Sequence, residues 1–131
     1  MKIGFLTGCL GDMPLKEKAK FAHDVGFEAL EISCWPKEND RDYSASDIDV
    51  ENLTRREADE IRSYMADYGL IISSLAYYDN TLDADLKNRA RVNRHILKVI
   101  DAAQMLGTEL VGVFAGRDVT KDINGNFDLF Q

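Results

Sequence analysis

Short apolar runs and amphipathic stretches alternate along the 131-residue chain, and a glycine stands at each return from the second to the first. Residues 3–6 form an apolar strand-like run. Leu15, Ala19, Ala22 and Val25 then recur every three or four positions, the spacing of a helix over residues 15–25 that turns one stripe to a sheet. Pro14 suits the first turn of that helix, and Gly26 suits a left-handed cap at its end. The pattern repeats over residues 54–68, with Ala58, Ile61, Met65 and Tyr68 on one face and Gly69 as the stop. It repeats again over residues 85–106, with Val92, Ile96, Val99, Ile100 and Ala103 inward and Gly107 as the stop. Residues 29–33, 70–76 and 110–114 are short and apolar throughout, as buried strands are.

A strand, a helix and a further strand in the same direction make a right-handed crossover, so the sheet is predicted to be parallel and the fold class α/β. The segments after the strands (7–13, 34–53 and 77–84) are longer than the glycine turns before them. In parallel α/β folds ligands bind at the C-terminal ends of the strands, which makes the long loops the working face. Beyond Arg117 comes a polar turn, and then Asn126-Phe127-Asp128-Leu129-Phe130 reads as the first turns of a fourth helix. Residues 1–131 are expected to form one domain of about four strands.

The composition, 45% hydrophobic and 30% charged, is that of a soluble globular protein. A net charge of -7 opposes a nucleic-acid partner and an anionic membrane surface, both of which need clustered Lys and Arg. No apolar run approaches the length of a membrane span. Met1-Lys2-Ile3-Gly4 does not open a signal peptide's apolar region, and the expected location is the cytoplasm. Cys9 and Cys34 are too few for a disulfide framework and read as reduced thiols, with no further Cys or His at ligand spacing.

Several residues at the strand ends carry chemistry. Alternation puts Leu30 and Ile32 on one face of their strand and Glu31 on the other. If Leu30 and Ile32 meet the helices, Glu31 points to the opposite side of the sheet, where a carboxylate needs a ligand or a salt bridge. Tyr77, Tyr78, Asp79 and Asn80 follow the third strand, and their rings, hydroxyls and amide suit a sugar. The bland reading makes one tyrosine core and Asp79-Asn80 a turn. Trp35, before Pro36, has the same dual reading. Arg117 could hold a phosphate or carboxylate, or pair with Asp118 or Asp122. His23 and His95 lie beside the inward stripes of their helices and suit packing. Gly8-Cys9-Leu10-Gly11 lacks the remainder of a phosphate loop.

Taken together, the stretches Gly26-Phe27-Glu28-Ala29-Leu30-Glu31-Ile32 and Ser74 to Asp83 resemble the sugar phosphate isomerase/epimerase family. Val99-Ile100-Asp101-Ala102-Ala103 with Leu106-Gly107, and Val113 to Asp118, extend the resemblance to nearly the whole chain. These are the xylose isomerase-like (β/α)8 barrels, which also include endonuclease IV. The resemblance implies an enzyme that moves a proton next to a sugar carbonyl. A divalent metal, Mn2+ or Mg2+, stabilises the enediolate in such families. Their metal-binding carboxylates and His come mainly from the fifth to eighth strands, so no metal ligand is expected in this chain. The positions carried over are substrate contacts: Glu31, Trp35, Tyr77, Tyr78, Asn80 and Arg117. Catalytic residues are not assigned.

A complete barrel takes about 250 residues, and four units of it make an N-terminal half. Such a half exposes two strand edges and an apolar interior face. At ~25 cal/mol per Å2, a few hundred Å2 of that face left in water costs several kcal/mol. The chain is therefore expected to self-associate and to be inactive alone, with a small sugar or sugar phosphate as its ligand. An endonuclease IV-like activity would need several His ligands and a basic groove. Two other readings remain at this stage. One is a non-catalytic half-barrel that binds a sugar-like ligand or self-assembles, and the other is a doubly wound sheet of flavodoxin type.

Overall fold

The computed structural model describes residues 1–39 and 44–131; residues 40–43, inside the long loop expected over 34–53, lie outside the described residues. Four strands, β1 (Gly4–Leu6), β2 (Ala29–Ser33), β3 (Ile71–Asn80) and β4 (Val111–Phe114), alternate with four helices. These are α1 (Leu15–Asp24), α2 (Arg55–Asp67), α3 (Leu86–Leu106) and α4 (Ile123–Phe130). The strands pair in chain order, β1-β2-β3-β4, and every pairing is parallel. Helix α2 packs on both α1 and α3, so the three lie on one face of the sheet. A doubly wound sheet reverses its strand order and carries helices on both faces. The flavodoxin-type reading is therefore set aside, and the architecture is that of a partial α/β barrel.

The core lies between the helices and the sheet. Leu30, Ile32, Leu75, Val92 and Val99 have no exposed surface, and Ala19 and Ala22 let α1 sit close to the strands. Gly107 closes α3 at φ 73°, a left-handed conformation that a side chain would strain. Thr54 caps α2 through a reciprocal bond with Glu57, which lowers the Glu57 carboxyl below its ordinary range.

The structure corrects three details. Val25 and Ile100, expected inward, are exposed, because α1 ends at Asp24 and because Lys18 and His95 take inward places on α1 and α3. Lys18 donates to Asp47 Oδ1 and to the Gly11 carbonyl, each at 2.7 Å, so its buried ammonium is paired. Strand β3 continues through Asn80 rather than ending at Ala76, because β4 pairs with it as far as Asn80 and Phe114, across an irregularity. Tyr77 and Tyr78 thus belong to a strand and point to opposite faces.

Candidate functional site

On the face of the sheet away from the helices, three strands converge on one carboxylate. Glu31 of β2 pairs in register with Ser74 of β3. Its Oε1 accepts hydrogen bonds from the Tyr78 hydroxyl at 2.6 Å and from the Ser74 hydroxyl at 3.1 Å. Gly112 of β4 completes the cluster by having no side chain. A Cβ there would lie 2.5 Å from the Tyr78 oxygen and 3.0 Å from Glu31 Oε1, too close for either. The bond to Glu31, with some burial and the nearby negative charge, pushes the Tyr78 phenol up to about 12. Tyr78 is therefore a protonated donor at neutral pH. Glu31 lines an open hollow of about 370 Å3 together with Phe5, Ala29 and Ser73.

The other expected contacts take different places. Tyr77 is fully buried on the helix side, and its hydroxyl donates to Asp79 Oδ2 at 3.0 Å. Burial, followed by the Asp79 charge, pushes Tyr77 up to about 12. Trp35 is buried but for an edge, and it meets both tyrosine rings at steep angles, centroids 5.8 and 6.0 Å away. His95 packs against Tyr77, and its Nε2 donates to the Cys34 carbonyl at 2.7 Å. Trp35, packed against Tyr77, thus braces the Tyr78 ring, which also lies against Phe114. The Cys34 thiol is pushed well above its ordinary range by burial.

Asn80 ties two loops together. Its amide nitrogen donates to the Arg117 carbonyl and its oxygen accepts from the Arg117 N–H, both at 2.8 Å. The Arg117 side chain is exposed, and among the described residues it forms no ion pair with either expected aspartate. Asp118 accepts instead from the backbone and hydroxyl of Thr120 and lies 3.5 Å from Arg89. The Thr120 bonds hold its carboxyl below the ordinary range. Asp122 caps α4 by accepting from the Gly125 N–H.

Sequence reasoning overlooked Ser74, Gly112 and a second hollow. The hollow lies between the segment after β2 and the first turns of α3, and Asn88 and Arg91 line it. Ser74 follows from the register opposite Glu31, but a glycine two strands away carries no local signal. Among the described residues, no group of three or more His, Cys, Asp or Glu side chains is placed to hold a metal ion. The residues here do not fit the metal that the resemblance implies.

A parallel sheet in chain order, helices along one face and a polar cluster on the other define part of a (β/α) barrel seen from its interior. The profile of the xylose isomerase-like TIM barrels matches residues 19–131, and the chain belongs to that family. Solved structures share the fold. The 3-keto-D-glucoside 4-epimerase from E. coli is 18% identical, with a TM-score of 0.63 over 99% of this chain and 48% of that one. The xylose isomerase domain protein from Planctomyces limnophilus is 12% identical, with a TM-score of 0.63 over 98% of this chain and 46% of that one. A protein from Parabacteroides distasonis is 17% identical, with a TM-score of 0.58 over 86% of this chain and 42% of that one. The chain spans less than half the length of these structures. No curated protein matches it. Among the described residues no helix is long and apolar enough to cross a membrane.

Proposed function

We propose that this chain supplies the substrate-facing half of a sugar isomerase or epimerase barrel, acting on a sugar or sugar phosphate through an enediolate. The Glu31–Tyr78–Ser74 cluster carries this reading. Both donors converge on Glu31 Oε1, and among the described residues no donor is placed on Oε2. Oε2 can therefore accept a sugar hydroxyl, while the oxygens of Tyr78 and Ser74 each have capacity to accept another. A charge-assisted bond of this kind contributes about 1.5–3 kcal/mol and fixes the orientation of the sugar. The exposed Arg117 serves at the rim, and Trp35, Tyr77 and Asn80 hold the contact residues in place.

The reaction would transfer a proton at the carbon next to the carbonyl. No step of it is routed through a metal on these residues. The Mn2+ or Mg2+ expected of the family would be held elsewhere in a closed barrel, so the chain would bind sugar without turning it over. It would act as one domain in the cytoplasm, with Cys9 and Cys34 as thiols, no nucleic-acid partner, and self-association through the β1 and β4 edges.

Deuterium wash-in tests the reading. In D2O with Mn2+, a closed barrel containing this chain should exchange the hydrogen beside the carbonyl of a bound ketose. Glu31→Ala should raise its KM about tenfold or more, as expected for loss of a charged hydrogen bond. A KM unmoved by that change would remove this face from the site.

A further inference from the structure

The hollow between the segment after β2 and the start of α3 has a volume of about 560 Å3, within the range of small-molecule sites. It shares one wall with the Glu31 cluster. Tyr78 lines it, and the hydroxyl of the same residue reaches Glu31. Pro36 and the edge of Trp35 supply an apolar surface, against which the C–H face of a pyranose packs.

Its polar groups set the ligand's charge. Among the described residues, Glu38 and Asp79 bring two carboxylates into the lining with one guanidinium, that of Arg91. Arg91 is already engaged: it donates to Asn88 Oδ1 through Nε and a terminal nitrogen, at 3.1 and 2.7 Å, and lies 3.7 Å from Asp79 Oδ2. A phosphate placed here would meet two like charges and a cation with its own partner. An uncharged polyol can instead donate its hydroxyls to the Glu38 and Asp79 carboxylates.

We infer that this cleft is a second carbohydrate subsite, taking an uncharged glycosyl or polyol group joined to the sugar that reaches Glu31. The substrate class is then a glycoside or disaccharide rather than a free sugar phosphate. This rests on the sugar-binding reading of the Glu31 face.

Trp35 is the one tryptophan of the chain and lines the cleft, so its fluorescence reports occupancy directly. The probes are glucose, glucose 6-phosphate, maltose, cellobiose and sophorose, titrated into the wild-type chain, into Glu31→Ala and into Arg91→Ala. At least one disaccharide should bind about tenfold more tightly than glucose, and glucose 6-phosphate no more tightly than glucose. Arg91→Ala should narrow the disaccharide preference to less than about threefold. Glucose 6-phosphate as the tightest ligand, no preference for any disaccharide, or a preference that Arg91→Ala leaves intact would overturn the subsite. If glucose still binds in a Glu31-dependent way, the subsite alone falls; if no sugar binds, both readings fall.

Discussion

The Tyr78 hydroxyl donates to Glu31 Oε1 at 2.6 Å and so joins the third strand to the second on the face away from the helices. This bond favours the neutral phenol in the folded chain, where Tyr78 is pushed up to about 12 from the model-peptide value of 10.0. Its contribution to stability is complete below pH ~10 and is lost as pH rises toward about 12. Alkaline ultraviolet titration should find Tyr78 ionising late, and Glu31→Gln should move it back toward 10, since a neutral amide oxygen disfavours the phenolate less.

Gly112 keeps that bond possible. Gly112→Ala would place a methyl 2.5 Å from the Tyr78 oxygen, and the phenol must swing off Glu31 to relieve it. The expected cost is about 1 kcal/mol in urea denaturation, at the low end for overpacking because the ring end can move. The expected signature is the same early tyrosine titration that Glu31→Gln produces. An unchanged titration would mean that the methyl is accommodated elsewhere.

Lys18 and Asp47 form a buried ion pair that anchors the segment after β2 to α1. Lys18→Met should destabilise the fold by about 3–5 kcal/mol, because Asp47 would be left buried and uncompensated. Lys18→Met combined with Asp47→Leu should recover much of that loss. Urea denaturation of the two variants reads the difference directly.

Much of this fold was legible in the chain because its signals are local. Helical spacing followed by glycine and a short apolar run announces each crossover unit within some fifteen residues. Alternation within a single strand sufficed to place Glu31 opposite Leu30 and Ile32. What escaped was decided between distant segments. Lys18 reads as a polar position until Asp47, far along the chain, arrives to pair with it. Tyr77 and Tyr78 both read as following the third strand, and the chain leaves open which of them, if either, is core. Their opposite fates follow from the extension of β3, which depends on pairing with β4. Gly112 looks like any strand glycine until Tyr78 and Glu31 are brought against it from two other strands.

The open edges of the sheet predict the state of the chain in solution. β1 and β4 are edge strands, and Val113, Phe114, Phe127 and Phe130 are exposed beside the latter. Unpaired strand edges with apolar neighbours recruit partners. Sedimentation at micromolar concentration should show a dimer or larger species. A monodisperse monomer would mean that this surface tolerates water.

The proposal that the Glu31 face receives a sugar is tested most directly by following backbone amide signals while D-fructose is added to the chain. The account predicts shifts grouped at Glu31, Ser74, Tyr78 and Gly112, weakened about tenfold or more in affinity by Glu31→Ala. Shifts that fall elsewhere, or that persist unchanged in Glu31→Ala, would contradict it.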